Sequence, residues 1–260
     1  MNVRFASQIL AAAAALSFAG TLDELQGPWS EILAANVKGD RVDYAGVLKD
    51  KVKFDAYLKS LASVDSNVVK AASKEERTAF YINAYNAGVF DLILRNPSKG
   101  SLASSTMPPE ISGSRFLVVA AESLAVGEIQ RKKVLEGNPD PRLWAMFTDG
   151  SLGSAPVLNT AVTSANLESL AEERTKLWLA DTARNKIDAK QTKLAQIPFD
   201  FFRFKPEFKG FPGGMAGFVK KYGPEGADLD KNRPTFSYNA AKNSVVEVVD
   251  PKAKKAKKKK

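Results

Sequence analysis

The residues best suited by type to covalent catalysis are two serines and one carboxylate in a short glycine-rich stretch. Asp149, Ser151 and Ser154 lie in the run Asp149-Gly150-Ser151-Leu152-Gly153-Ser154. A serine hydroxyl becomes a nucleophile when a neighbouring base removes its proton, and the candidate bases are a lysine or Asp149 itself. The run lacks the G-x-S-x-G spacing of a nucleophile elbow, and Gly-Ser runs commonly form turns. Serine-dependent catalysis and a plain turn are therefore the two alternatives for this stretch.

The chain contains no cysteine and no histidine among its 260 residues. It therefore has no thiol nucleophile, no disulfide and no thiolate metal ligand. The side chain that most often acts as a general base near neutral pH is also missing. The acidic residues Glu122, Glu128, Asp149 and Asp181 follow no metal-loop spacing. The sequence accordingly predicts neither a metal site nor a cofactor.

A second group of polar candidates lies on a predicted helix. Asn83, Tyr85 and Asn86 could line a ligand pocket. Their alternative role is structural, because helical spacing with Ile82 and Val89 indicates a core position for Tyr85. Buried amides commonly fix loops through backbone hydrogen bonds. Both the binding role and the structural role stay open for these residues.

Phe202 belongs to an aromatic-rich stretch, residues 199–211, in which cations lie between the rings. Aromatic residues are enriched at protein interfaces. Arg203, Lys205 and Lys209 could line a groove or pair with the rings through cation–π contacts. The alternative is that the rings form part of the hydrophobic core. Phe202 is our candidate contact for a protein partner.

The net charge of +9 is concentrated at the end of the chain. Residues 252–260 carry seven lysines and no acid, and without them and Arg4 a net charge of +1 remains. We predict a disordered tail over residues 250–260 that contacts an anionic surface, either lipid or an acidic polymer. The candidate contact residues in this tail are Lys257, Lys258, Lys259 and Lys260. The alternative is a solubilising end without a partner, and in neither case does the charge predict specific nucleic-acid binding.

Residues 1–20 have the composition of a signal peptide. Arg4 supplies a positive start, an alanine-rich apolar stretch follows from Phe5 to Phe18, and small residues suit cleavage near Gly20. The stretch is too short and too interrupted to predict a transmembrane span. We expect export through the secretory pathway, leading to secretion, to a periplasm or onward to an organelle lumen. The alternative is an amphipathic helix packed on the domain.

The candidates must be positioned by helices and strands, and the predicted order of these elements indicates an α+β fold in a single domain, residues 21–249. Ser73 followed by Glu76 has the spacing of a capping box, which predicts a long helix that ends before Asn96. Other predicted helices lie near residues 22–36, 54–61, 126–135, 164–179 and 215–222. Predicted extended segments lie at 41–44, 115–120, 236–239 and 244–249, with a strand or short helix at 143–147 and a loop at 97–114. We expect a helix-rich first half and a small mixed or antiparallel sheet.

Several motifs in this order resemble the family called domain of unknown function 547. The most specific is Phe80-Tyr81-Ile82-Asn83-Ala84-Tyr85-Asn86-Ala87, which is similar to the family's F-W-I-N-x-Y-N-A helix. Upstream, Gly39-Asp40-Arg41-Val42-Asp43-Tyr44 resembles its G-x-V-D-Y motif. Residues 197–202 and 214–222 resemble its terminal aromatic region, and residues 236–243 resemble its closing strand. The motifs span residues 25 to 245, which is nearly all of the predicted mature chain.

The departures from the family pattern fall on chemically active positions. The family carries a histidine before a central strand, where this chain has Arg131, and a C-x-S-x-x-C-P-P motif after it. Aligned on Pro156, Asp149 and Ser154 stand in place of the two cysteines. A Cys/His pair is what a papain-like or transglutaminase-like thiol mechanism needs, and the resemblance implies a fold of that kind. The resemblance therefore implies a retained fold with a degenerate site at Arg131, Asp149, Ser151 and Ser154.

Together, these patterns favour an exported, pseudoenzyme-like member of this family that is a binding or structural subunit of a larger assembly. The alternative is a serine-dependent hydrolase or acyl-transfer enzyme that uses Ser151 or Ser154 with Asp149. A third alternative is a passive scaffold secreted in quantity.

Overall fold

The computed structural model describes most of the chain between residues 20 and 245. The described ranges are 20–185, 194–198, 205–227, 233–237 and 239–245, with side chains in all of them except 194–198, 205–206 and 233–237. Nearly all of the predicted signal peptide and the whole lysine tail lie outside these ranges, as does Phe202.

Helices make up most of the described structure. They are α1 (Gly27–Asn36), α2 (Tyr44–Lys49), α3 (Lys51–Ser63), α4 (Ser66–Ala71), α5 (Lys74–Arg95), α6 (Pro109–Ser112), α7 (Val126–Glu128), α8 (Leu167–Ala180), α9 (Lys205–Phe208) and α10 (Gly214–Tyr222). Two further segments are 3₁₀-helices, Glu24–Gln26 and Pro141–Met146. Helix α7 continues as a π-helix, Ile129–Leu135. Within the ranges above, no helix combines the length and the apolar composition that crossing a membrane requires.

The strands of the described ranges are short and pair two by two. They are β1 (Val37–Lys38), β2 (Arg41–Val42), β3 (Leu117–Val119), β4 (Glu122–Leu124), β5 (Leu194–Pro198) and β6 (Arg233–Ser237). β1–β2 and β3–β4 are antiparallel, with Val37 opposite Val42 and Leu117 opposite Leu124, whereas β5–β6 is parallel. This combination of many helices with small sheets confirms the predicted α+β class.

Helix α5 is the centre of the core, and its sequence explains both where it begins and why it is buried. The Ser73 hydroxyl accepts the backbone N–H of Glu76 at 3.0 Å, so the predicted N-cap is present. Every residue from Thr78 to Ile93 is buried, so the helix is covered on all sides. At Gly88 a Cβ atom would lie 2.8 Å from Val126 Cγ1, which shows how closely α7 approaches α5.

An aromatic cluster joins α1, α3 and α5. The Trp29 ring stacks on Tyr57 with 5.4 Å between centroids and meets Phe90 edge-on at 5.2 Å. The Tyr57 hydroxyl donates to Gln26 Oε1 at 2.7 Å, which satisfies its polar end inside the core. The three helices are therefore fixed relative to one another by large, geometrically restricted contacts.

The short helices α2 and α4 lie where the sequence predicts none, and α6 forms within the predicted loop 97–114, where Pro109 at its first turn suits a helix start. Tyr44, which we expected to end an extended segment, opens α2 because the Asp43 carboxylate accepts the N–H of Gly46 at 2.8 Å. Asp65 caps α4 by accepting the N–H of Asn67 at 2.7 Å. Both helices begin at an aspartate N-cap, which is a weak signal in the absence of a long apolar repeat.

The β3–β4 hairpin turns through two alanines in the left-handed region. Ala120 has φ 49° and Ala121 has φ 62°, values that favour glycine or asparagine. The N–H groups of Ala120 and Ala121 donate to the carbonyls of Leu61 and Ala62, at 2.9 and 3.3 Å. The end of α3 therefore holds the turn in a conformation that its own residues do not prefer.

Candidate functional site

The glycine-rich stretch that contains the candidate serines, residues 149–154, folds into a turn held by internal hydrogen bonds, which we call the serine turn. The N–H of Ser151 donates to Asp149 Oδ1 at 2.8 Å. The Ser151 hydroxyl accepts the N–H groups of Gly153 and Ser154, at 3.2 and 3.1 Å. These are the hydrogen bonds of Asx and Ser turns, in which short polar side chains satisfy nearby backbone groups. The local sequence is therefore sufficient to explain the turn.

Ser154 closes the other end of this turn. Its Oγ lies 3.0 Å from the Ser151 carbonyl oxygen and 3.1 Å from Thr148 Oγ1. Its own carbonyl accepts the Nε–H of Arg184 at 3.0 Å. Ser151 is 1% exposed and Ser154 is 3% exposed. Within the described residues, the Ser154 hydroxyl contacts carbonyl and hydroxyl groups but no base.

The segment 239–245 covers the turn. The N–H groups of Leu152 and Gly153 donate to the carbonyls of Ala241 and Asn239, each at 2.8 Å. The N–H of Asn243 donates back to the Gly150 carbonyl at 2.9 Å. The same segment also bonds β2, since the Val245 N–H donates to Val42 O at 3.0 Å. The turn is thus enclosed by chain from the far end of the sequence.

Tyr44 lies beneath the turn and is held in its neutral form. Its hydroxyl donates to Asn243 Oδ1 at 2.9 Å. Burial raises the pKa of Tyr44 far above its usual range, and the negative charge of Asp149 raises it further. A tyrosine with such a pKa stays protonated at physiological pH. It therefore serves as a hydrogen-bond donor here and not as a general base.

The two candidate asparagines on α5 bind backbone groups in separate loops. Asn86 Nδ2 donates to Met146 O at 2.9 Å and its Oδ1 accepts the N–H of Thr148 at 3.1 Å. Asn83 makes the same pair of bonds with Val162, at 2.7 and 3.0 Å. Asn86 thereby sets the position where the serine turn begins. The contacts are those of the structural alternative, while a role in ligand binding stays a prediction.

The other sequence candidates are placed apart from this turn or lie outside the described residues. The Tyr85 ring is 5% exposed and meets Phe147 edge-on at 4.9 Å. Arg131 is exposed on the π-helix that continues α7. Phe202 and the tail lysines Lys257, Lys258, Lys259 and Lys260 lie outside the described residues. Of the predicted degenerate site, the structure brings Asp149, Ser151 and Ser154 together in one turn.

A cleft of about 390 Å³ opens elsewhere on the surface, between α4, α5, the β3–β4 turn and the π-helix. Its apolar wall includes Val69 and Ala120. Its charged and polar lining includes Lys70, Arg77, Tyr81, Glu122, Lys132 and Lys133. The side chains come from three separate parts of the sequence, and four of them are cations. We call this the basic cleft.

Only part of the positive charge in the basic cleft is balanced by the protein. Lys133 Nζ bonds Glu122, and Lys132 Nζ bonds Glu128 at 3.0 Å. Among the described residues, no carboxylate lies within 4.0 Å of the charged groups of Lys70 or Arg77. The Arg77 guanidinium donates one hydrogen bond to the Ala72 carbonyl at 3.2 Å, which leaves further donors. Two uncompensated cations therefore face the cleft.

Tyr81 provides the floor of the basic cleft. The residue is 7% exposed, and the Lys133 ammonium lies 6.0 Å from its ring centroid. Burial raises the pKa of Tyr81, the charge of Glu122 adds to that effect, and Arg77 opposes it. The hydroxyl is therefore protonated near neutral pH, and in the described part of the chain it has no hydrogen-bond partner. It remains available as a donor.

The sequence contains no pattern that predicts the basic cleft. Arg77 and Tyr81 are four residues apart on α5, which places them on one face. Lys70 precedes the helix, and Glu122 and Lys133 follow about 40 to 50 positions later in the chain. No spacing rule links these segments, so only the fold reveals the cluster. In the described residues there is no group of three or more acidic side chains suited to holding a metal.

The region that contains the serine turn and the charged side chains of the basic cleft matches a known family. The model of the family described as "Protein of unknown function, DUF547" matches residues 69–179. No curated protein and no solved structure matches the chain. The family match includes α5 with its F-Y-I-N-A-Y-N-A motif and confirms the resemblance read from the sequence. The match over residues 69–179 therefore supports a member of the DUF547 family of proteins of unknown function.

Proposed function

We propose that this protein is an exported, non-catalytic member of the DUF547 family that acts by binding, as a subunit of a larger assembly. One observation carries the proposal: the hydroxyls of Ser151 and Ser154 are buried and engaged within their own turn. A catalytic serine must instead present its hydroxyl to both a substrate and a base. Asp149 and Ser154 stand where the family resemblance implies cysteines, and here both belong to a hydrogen-bonded turn.

Serine catalysis would require this turn to open. Opening would break the three backbone hydrogen bonds that join residues 150–153 to segment 239–245. Each such bond contributes about 1 kcal/mol to stability, and the buried groups would lose further free energy if left unpaired. The closed state is therefore strongly favoured, which supports the binding role over the hydrolase alternative.

A fluorophosphonate probe tests the non-catalytic proposal directly, because it forms a covalent bond only with activated serines. The native full chain is expected to remain unlabelled, while a serine hydrolase in the same tube is labelled. Ser151→Ala and Ser154→Ala are the matched variants. Labelling of the native chain that disappears in either variant would establish the hydrolase alternative and overturn the proposal.

Export is supported by the composition of residues 1–20, with a positive start and a short apolar stretch. Protein purified from its natural source is expected to begin near residues 19–22. Mass spectrometry of the intact protein measures this directly. A chain that still begins at Met1 would contradict export.

The lysine-rich end supports an assembly role through an anionic partner. Seven lysines in nine residues favour binding that weakens as salt is raised. A pull-down with the full chain and with a chain ending at Val249 is expected to recover less partner without the tail. Recovery that is equal for both chains at low and high salt would remove the tail from the proposed function.

A further inference from the structure

The basic cleft brings together cations that have no carboxylate partner among the described residues. A second cleft of similar volume, about 390 Å³, lies around Arg142. There the guanidinium meets Asp140 at 2.7 Å, Glu168 at 2.5 Å and Glu172 at 3.6 Å. Arg142 is thus fully engaged by carboxylates, whereas Lys70 and Arg77 in the basic cleft have none within reach in the described structure. Two such cations on the walls of one concave site favour an anionic ligand there.

The donors of the basic cleft converge from two walls. Arg77 and Tyr81 project from one face of α5, and Lys70 comes from the end of α4. Tyr81 is more than nine-tenths buried, and its hydroxyl has no partner among the described residues. Because Tyr81 lines the cleft, this hydroxyl can donate a hydrogen bond to a ligand bound there. A guanidinium, an ammonium and a hydroxyl together match the several acceptor oxygens of one tetrahedral oxyanion.

We propose that the basic cleft binds a small organic phosphate, with the phosphate group held by Lys70, Arg77 and Tyr81. Two uncompensated cations balance the charge of a phosphate monoester near neutral pH. The apolar wall formed by Val69 and Ala120 receives the carbon part of the ligand. A volume of about 390 Å³ is at the small end of the range for small-molecule sites and favours a metabolite over a polymer.

This inference deepens the proposed binding function and rests on it, but the two fail in different ways. Labelling by a fluorophosphonate would overturn the non-catalytic role without touching the cleft. Failure of phosphate binding would leave the serine turn closed and the non-catalytic role intact. The two experiments therefore report on separate parts of the molecule.

Isothermal titration calorimetry of the full chain tests the cleft with four probes: phenyl phosphate, inorganic phosphate, succinate and neutral phenyl glucoside. Phenyl phosphate is expected to bind with one-to-one stoichiometry and more tightly than inorganic phosphate, because the ring adds apolar contact. Phenyl glucoside is expected to give no binding. Tighter binding of succinate than of phenyl phosphate would overturn the assignment to phosphate.

Charge variants locate the binding and separate it from the lysine tail, which is present in every variant. Lys70→Gln and Arg77→Gln are each expected to weaken phenyl phosphate binding about tenfold, since each removes a charge-assisted hydrogen bond. Glu122→Gln is expected to strengthen it several-fold by removing a carboxylate that lines the cleft. Lys59→Gln, which removes an exposed lysine on α3 outside the cleft, is the matched control and is expected to change nothing.

The set of variants keeps the test decisive even if one of them does not fold. Circular dichroism checks each one, and if Arg77→Gln does not fold, the opposite effects expected of the exposed Lys70 and Glu122 still decide the question. Equal affinities in Lys70→Gln, Glu122→Gln and Lys59→Gln would place the binding on the tail or on unspecific surface charge. That result, or no binding of phenyl phosphate at all, would overturn the proposal.

Discussion

The serine turn and the basic cleft both gather polar side chains, but they differ in what satisfies them. In the turn, Ser151 and Ser154 bond to the turn's own backbone, and segment 239–245 covers what remains. Among the described residues of the cleft, Lys70 and Arg77 have no carboxylate partner, and the Tyr81 hydroxyl has no hydrogen-bond partner. The residues that look catalytic by type therefore make structural hydrogen bonds, while residues of no recognised motif line an open cleft.

Residue type alone is therefore a poor guide to reactivity in this protein. A polar group that the protein itself satisfies contributes to stability, and removing it leaves its partner unpaired. A charged group that the protein leaves unmatched contributes little to stability and keeps its capacity for binding. Changes in the turn should therefore alter the free energy of unfolding, and changes in the cleft should alter affinity.

The largest effect is expected from Gly150→Ala in the turn. Gly150 has φ 76°, and an added Cβ would lie 2.3 Å from Ile93 Cδ1, a buried side chain of α5. Left-handed backbone strain and overpacking together should lower the free energy of unfolding by about 2 to 3 kcal/mol. Urea unfolding followed by circular dichroism measures this change.

Gly127→Ala is the matched control for this variant. Gly127 lies in α7, and nothing lies within 4 Å of the position of an added Cβ. This substitution should leave stability unchanged or raise it by up to about 1 kcal/mol, because alanine is the better helix former. Equal effects of the two substitutions would show that the turn is not the tightly closed element described above.

A smaller effect, visible mainly at alkaline pH, is expected from Tyr44→Phe. The folded-state pKa of Tyr44 is raised, so its stabilising contribution is fully present below about pH 10 and is lost as the pH rises further. Above that pH, Tyr44 should lower the stability of the native chain by about 1.4 kcal/mol for each pH unit. Phenylalanine cannot ionise, so this part of the pH dependence should be missing in the variant.

Unfolding free energies of both chains at about pH 9, 10 and 11 measure this difference. Below pH 10 the variant should be the less stable by about 1 kcal/mol, since it lacks the hydrogen bond to Asn243. A constant difference across the whole range would mean that Tyr44 ionises as easily in the folded chain as in the unfolded one. That outcome would contradict the closed environment beneath the turn.

The smallest effect is expected from Lys70→Gln in the basic cleft. Lys70 is exposed and has other cations as neighbours, so its replacement should change stability by less than about 0.5 kcal/mol. Urea unfolding under the conditions used for Gly150→Ala gives a direct comparison. A loss above about 1 kcal/mol would show that Lys70 has a structural role, and the contrast between the two regions would fail.

Part of the fold follows directly from the sequence. The Ser73 cap and the apolar repeat predict α5, and the structure places the helix at Lys74–Arg95. The helix predicted over 164–179 is α8, Leu167–Ala180. Caps and apolar repeats do not predict the short elements. Helices α2 and α4 each begin at a single aspartate cap, and β4 follows a turn made of two alanines. The local sequence signals are too weak to predict these elements. Contacts with α3 and the core hold them in place instead.

The sequence by itself excluded thiol and imidazole chemistry, and it indicated the family that residues 69–179 match. Without cysteine or histidine, the positions held by Arg131, Asp149 and Ser154 cannot support a thiol mechanism, and the motif on α5 indicates the family. Only the tertiary structure decided the state of the serines, because segment 239–245 closes their turn from some 90 residues away. Only the tertiary structure assembled the basic cleft, since electrostatic imbalance depends on distances in space that no sequence spacing records.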